Sequence, residues 1–277
     1  MSSETHFADA TLTDNLLGLT DNADLTTDAA REPRRLVIAF VGMAFEARIA
    51  AGPGIMVFAR NARRELAVTA ANAARQGYRG IISFGVAGGL ATHLRTGDWV
   101  VASSVIEAQG PMPTDAGWSR RLLDAIGDAH HAPILGVDTP VAEPATKRQL
   151  YRTSGAAAVD MESHIVARLA AAHGLAFTAL RVIVDPVDRA IPPAALVGMG
   201  SNARADTAAI LRELVARPRQ LPLLARVTWD AFIARSQMQR VRGLLGSHFG
   251  LLDLPNAAPA NAELPESTAA AAYRSLA

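Results

Sequence analysis

AAAVDMESHIVARLAAAHG, residues 156–174, changes its period halfway along. GAAAV (155–159) is a short apolar run of strand type, and from about residue 161 to 173 the apolar residues return at helical spacing. A buried strand that passes straight into a helix is the repeating unit of a parallel α/β sheet. Here the joint between them carries Asp160, Met161 and Glu162.

The same alternation extends outward in both directions. RLVIAFVG (35–42), GIMVFA (54–59), GIISFG (80–85), TGDWVVASSVIEA (96–108), APILGVD (132–138) and AFTALRVIV (176–184) read as strands. Helical patterns occupy about 62–76, closed by Gly77, then 118–129, 145–152 and 194–216. Nearly continuous apolar strands are buried on both faces, so helices must cover each side of the sheet. The expectation is a three-layer α/β/α domain with a mainly parallel, mixed sheet over 35–216. Residues 217–253 read as an amphipathic helical extension. Residues 1–34 and 254–277, polar or Ala-rich without sustained periodicity, read as a disordered leader and tail.

Composition excludes several classes of function. A formal net charge of +1 gives no electrostatic case for nucleic acid. With no cysteine there is no disulfide, no thiolate nucleophile and no Cys-ligated metal. The seven histidines show no ligand spacing, and His130–His131 reads as part of a polar loop, so no metal is expected. The leader lacks the basic and apolar regions of a signal peptide, and no apolar run is long enough for a membrane span. The expected location is cytoplasmic. Lys147 is the one lysine among many arginines, which reads as a matter of composition.

In open α/β sheets, ligands bind beyond the carboxyl ends of the strands. The first strand leaves into GMAFEAR with Glu46 and Arg48, the third into GVAGG (85–89), GAAAV into Asp160 and Glu162, and AFTALRVIV into Asp185. Each has an ordinary reading. The glycines suit a tight turn, Asp160 and Glu162 suit a helix N-terminus, Asp185 before Pro186 suits a turn, and Glu46 suits an exposed helix start. The functional alternative is a single crevice lined by carboxylates and bare backbone. GVAGG lacks the GxGxxG spacing of a dinucleotide site.

Together, GIISFGVAGGL, AAAVDMESHIVARLAA and FTALRVIVDPVD resemble the purine nucleoside phosphorylase and methylthioadenosine/S-adenosylhomocysteine nucleosidase superfamily over residues 35–215. GMAFEARIA, SFGVAGGL, VDMESHIVA and LRVIVDPVDRAIPP look most like its hopanoid-associated phosphorylases. The resemblance implies release of adenine from adenosylhopane. Asp185 matches the acid that protonates the departing purine at N7, and Glu162 matches the glutamate that binds the ribose hydroxyls, with Met161 beneath the sugar. Glu46 matches the acid that positions or activates the attacking water. Pro140 and Val141 fall where the nucleosidases grip adenine through backbone. Many relatives carry serine at the position of Val86, so the backbone of Val86, Ala87 and Gly88, with Arg48, is left for phosphate or water, and Arg60 and Arg63 of ARNARRE (59–65) are equal candidates to bind phosphate. No cofactor is implied, and inorganic phosphate is an open co-substrate. A salvage nucleosidase for methylthioadenosine or S-adenosylhomocysteine is the alternative, and a noncatalytic scaffold a third.

Beyond the family core, LPLLARVTWDAFIARSQMQRVRGLLGSHFGLL (221–252) repeats Leu224, Val227, Ala231, Ala234, Met238, Val241 and Leu245 at helical spacing, with Arg226, Arg235, Arg240 and Arg242 beside them. This reads either as a helix packed on the domain or across a dimer, or as an interfacial helix meeting a lipid-borne substrate at the inner membrane face. The superfamily resemblance implies a homodimer.

Overall fold

The computed structural model describes residues 37–198 and 221–251, all within the unit Pro33–Ala277. Strand β1 (Val37–Val41) is apolar at every position and faces two ways. Ile38 and Phe40 enter one core, whereas Val37, Ala39 and Val41 enter the other. This is the period of two that a strand buried on both faces must show.

The elements follow in order as α1 (Ala44–Ala50), β2 (Ile55–Ala59), α2 (Arg63–Ala71), β3 (Gly80–Gly89), β4 (Trp99–Glu107) and β5 (Gly110–Pro113). Then come α3 (Ala116–Ile126), β6 (Ala129–Gly136), α4 (Pro144–Ser154), β7 (Ala158–Asp160), α5 (Ser163–Ala172), β8 (Ala176–Asp185) and α6 (Pro193–Gly198). We number the long C-terminal helix Leu221–Leu244 as α7. The eight strands run β2-β1-β3-β7-β6-β4-β5, and β8 joins β3 to β4. Strands β3, β8, β4, β6 and β7 therefore close a ring. Pairing is parallel between β1 and β2, β1 and β3, β3 and β8, β4 and β6, and β6 and β7. It is antiparallel between β3 and β7, β4 and β8, and β4 and β5. The mixed α/β architecture expected from sequence is present.

One core cluster takes Leu66 of α2 and Val166, Ala167 and Ala170 of α5. The other takes Trp118, Leu122 and Ile126 of α3, Ala50 of α1, and Ala234, Met238 and Val241 of α7. Trp118 Nε1 donates to the Phe249 carbonyl at 2.6 Å, which fastens the segment after α7 to α3. Among the described residues, no helix is long and apolar enough to cross a membrane.

Several local expectations change. GVAGG is not a turn but the second half of β3, because β8 pairs with it through Gly88 and β7 with Gly88 and Gly89. His130 and His131 lie in β6, paired with Val100 and Val101, rather than in a loop. QGPMPTDAG contains β5, hairpinned to the end of β4. Helix α2 ends at Ala71, five residues before the expected end. The helix expected over 194–216 is seen as α6, and the rest of it lies outside the described residues, as do the leader and tail. In α7, Ala234, Met238 and Val241 of the expected stripe are buried, but Ala231 is exposed and Asp230 is buried instead.

Met238→Ala should lower unfolding free energy by about 2–5 kcal/mol, because it opens a cavity under α7. Phe232→Ser, on the outer face of the same helix, should change it by less than about 0.5 kcal/mol. Urea melts of the two variants read the contrast.

Candidate active site

The centre of the site is a charge inside a strand. Arg181 stands fifth from the end of β8 in the run AFTALRVIVD and is completely buried. A guanidinium so placed must be paired. Its Nε lies 2.6 Å from Asp160 Oδ2, and its Nη2 donates to Ser83 Oγ at 2.5 Å and Ser163 Oγ at 3.3 Å. Nη2 also approaches Glu162 Oε2 at 3.6 Å. Burial works against the guanidinium charge, but Asp160, Glu162 and Glu46 outweigh it and push the Arg181 pKa up.

The joint between β7 and α5 supplies the first two of those carboxylates. Asp160 Oδ1 accepts the backbone N–H groups of Glu162 at 3.2 Å and Ser163 at 2.9 Å, and Oδ2 takes the Ser163 hydroxyl. Asp160 thus caps the start of α5 and anchors Arg181. Glu162 lies buried beside them, and Arg60 Nε approaches its Oε1 at 3.7 Å. Burial raises the Glu162 pKa, with Arg181 opposing. Met161 between them is half-buried.

Glu46 arrives from the first turn of α1 and is buried rather than exposed. Its Oε2 accepts the N–H groups of Gly42 and Met43, both at 2.8 Å, and Oε1 accepts that of Val86 at 2.9 Å. Desolvation pushes its pKa up to about 7, against the pull of Arg181. Two glycines permit this crowding. A Cβ on Gly85 would lie 2.6 Å from both Arg181 Nη1 and Glu46 Oε1, and one on Gly42 would lie 3.1 Å from Glu162 Oε1. Glu46, Glu162 and Arg181 therefore meet around Gly42 and Gly85.

Asp185 ends β8, four residues beyond Arg181 and just past a register shift against β3. Burial raises its pKa, while Lys147 pulls it down. Lys147 Nζ contacts Asp185 Oδ2 at 2.5 Å. Gly88 passes close beside, since a Cβ there would lie 3.2 Å from Asp185 Oδ2. Val141 packs with Leu90, Ala156 and Val159, whereas Pro140 is exposed. The Ile191 N–H donates to the Ala142 carbonyl at 3.0 Å, tying this loop to the segment that follows Asp185.

Two expectations for phosphate do not fit this geometry. The Val86 N–H already serves Glu46, and Ala87 and Gly88 are strand residues paired with β8. Arg48 is exposed, two residues from Glu46 and so on another face of α1. It lines a separate cleft with Arg235, Gln239 and Arg242 of α7. The cation beside Glu162 is Arg60. The motifs of the sequence do not single out Arg181, and Lys147 reads there as a matter of composition. Each had a signal in the sequence, the first as a charge within an unbroken apolar strand, the second as the chain's one lysine.

Glu46 carries a pH signature for stability. Its folded pKa of about 7 exceeds the ordinary value of 4.5, so the folded state holds the proton more tightly. That contribution is full below about pH 4.5 and is lost as pH rises through 7, on the order of 3 kcal/mol in all. Wild type should therefore lose stability relative to Glu46→Gln across pH 4.5–7, as read by urea melts at each pH.

The sequence of residues 60–216 matches the family model described as the phosphorylase superfamily. No curated protein matches the chain. Among solved structures, futalosine hydrolase of Helicobacter pylori aligns at 15% identity with a TM-score of 0.53, covering 77% of this chain and 97% of that one. A putative 5′-methylthioadenosine/S-adenosylhomocysteine nucleosidase from Francisella philomiragia aligns at 14% identity with a TM-score of 0.51, covering 76% and 96%. The corresponding nucleosidase from Helicobacter pylori, in complex with butyl-thio-DADMe-Immucillin-A, aligns at 14% with a TM-score of 0.50, covering 75% and 97%. At these identities the likeness is one of fold. The family match spans more than half of the chain, and with it the conclusion is plain: the chain belongs to the phosphorylase superfamily.

Proposed function

We propose that this enzyme cleaves the N-glycosidic bond of adenosylhopane, releasing adenine and leaving ribosylhopane. The observation that carries the reading is the meeting of Glu46, Glu162 and Arg181 around Gly42 and Gly85, with Asp185 at the end of the same strand as Arg181.

Cleavage makes the sugar electron-poor and loads charge onto the base. Glu162 accepts hydrogen bonds from the ribose hydroxyls, and its carboxylate favours the positive charge growing on the ring. Met161 lies beneath the sugar, and the backbone of Pro140 and Val141 holds adenine. As C1′–N9 breaks, Asp185 gives its proton to N7, so that adenine leaves neutral. Glu46 takes a proton from water as the oxygen bonds to C1′, a task suited to a carboxylate with a pKa of about 7. Proton exchange with solvent then resets both acids, and no cofactor takes part. Water is the favoured acceptor, since the Val86 N–H is engaged by Glu46 and Arg48 stands apart.

Support for a bulky apolar substituent comes from α7. Leu221, Leu223, Trp229 and Phe232 are exposed, and the last two stack at 5.7 Å between ring centroids. Beside them, a cavity of about 760 Å³ opens between α7 and the Pro186–Arg189 segment. An apolar face with Arg226 beside it suits the surface of an anionic bilayer.

Purified protein should release adenine from adenosylhopane in detergent without added phosphate. Release from methylthioadenosine alone would replace the reading with a salvage nucleosidase, and dependence on phosphate would replace hydrolysis with phosphorolysis. Asp185→Asn should fold normally and lose at least about 100-fold in kcat; wild-type turnover in that variant would remove Asp185 as the acid.

A further inference from the structure

Lys147 is the chain's one lysine and is completely buried in the first turn of α4. Among the described residues, the hydrogen bonds of its ammonium go to the last residue of β8 and the segment that follows it. Nζ donates to Asp185 Oδ2 at 2.5 Å, to the Asp185 carbonyl at 3.2 Å, to the Pro186 carbonyl at 3.1 Å and to the Arg189 carbonyl at 2.9 Å. All four partners are acceptors. A lysine ammonium offers three N–H donors and no acceptor, so it suits this set, with one N–H shared between two of the oxygens. A planar guanidinium cannot converge on three carbonyls and a carboxylate from one point, whereas a compact tetrahedral donor can. That is a physical reason for lysine here in a chain that otherwise uses arginine.

We propose that Lys147 is the positioning residue of the leaving-group side of the site: its ammonium ties the Asp185 carboxylate to the backbone of residues 185–189 and so fixes it against the departing base. The proposal rests on the reading of Asp185 as the acid. It gives Lys147 two effects. The clamp fixes one carboxylate oxygen and thereby the direction of the other. The positive charge also weakens the hold of Asp185 on its proton, which burial would otherwise strengthen. The other charged groups facing Asp185 act less directly. Asp230 of α7 raises its proton affinity, and Asp230 is itself paired with Arg189 and bonded to Thr96. Asp188 is exposed, and beside Asp185 lie the uncharged Gly88 of β3 and Val159 of β7.

Lys147→Met tests this with adenosylhopane turnover followed across pH. Loss of the clamp should lower kcat by about 100-fold, with KM within a few-fold of wild type. Asp185 must be protonated to act, so removal of the opposing charge should also move the alkaline limb of the kcat profile to higher pH. In the Asp185→Asn background the same substitution should cost little more, because the two residues act as one unit. An unmoved alkaline limb in Lys147→Met, or losses that multiply in the double variant, would overturn the proposal. An active Asp185→Asn would instead overturn the acid reading, and the proposal with it.

A buried carboxylate without its partner can prevent folding, and a second route covers that case. The chain has no cysteine, so Lys147→Cys offers a single thiol. Alkylation in urea with 2-bromoethylamine restores an ammonium at nearly lysine length, and iodoacetamide gives a neutral amide. After refolding, the aminoethylated protein should recover kcat to within about tenfold of wild type, while the amide form stays at least about 100-fold down. Equal activity in the two forms would overturn the proposal.

Discussion

A fully buried guanidinium in the middle of a strand is the constraint around which the site is built. Arg181 cannot reach water, so carboxylates have to be brought to it from elsewhere in the fold. Asp160 comes from the end of β7, Glu162 from the start of α5 and Glu46 from α1, while Ser83 and Ser163 supply hydroxyls. The ring formed by β3, β8, β4, β6 and β7 sets the β7–α5 joint beside β8. The electrostatics of Arg181 and the closure of the sheet are thus two views of one requirement.

Three carboxylates against one guanidinium leave the cluster short of positive charge. The shortage is resolved unevenly. Asp160 has the closest contact with Arg181 and the helix-capping bonds, which makes it structural. Glu162 has a longer contact with Arg181 and a weak one with Arg60. Glu46 has three backbone N–H donors, and burial still carries its pKa to about 7. Asp185 stands apart at the end of the strand that carries Arg181, with its own cation, Lys147.

GVAGG shows how far local sequence can mislead. Five residues with three glycines satisfy every criterion for a turn, and they are strand. Glycine is required there by side chains from other elements. Gly85 yields space to Arg181 and Glu46, and Gly88 yields it to Asp185 and Val159. Similarly, His130–His131 looked like a polar loop because its strand partner, Val100–Val101, lies thirty residues earlier in the chain. Arg48 and Arg60 were equal candidates for the crevice by composition. Helix geometry turns Arg48 towards α7, and the short turn after β2 brings Arg60 to Glu162.

The sequence by itself determined the alternation of apolar strands and helices, hence the α/β layers, because burial on two faces imposes a period that local residues must obey. It also determined which carboxylates stand at strand ends, since Glu46, Asp160, Glu162 and Asp185 each follow an apolar run directly. Tertiary structure decided their partners. Whether the Val86 N–H is open or engaged by Glu46, and whether the one lysine is incidental or clamped to Asp185, depend on contacts between residues 40 and 38 positions apart. No window of sequence holds both members of such a pair, and desolvation, which sets their chemistry, exists only once the sheet has closed around them.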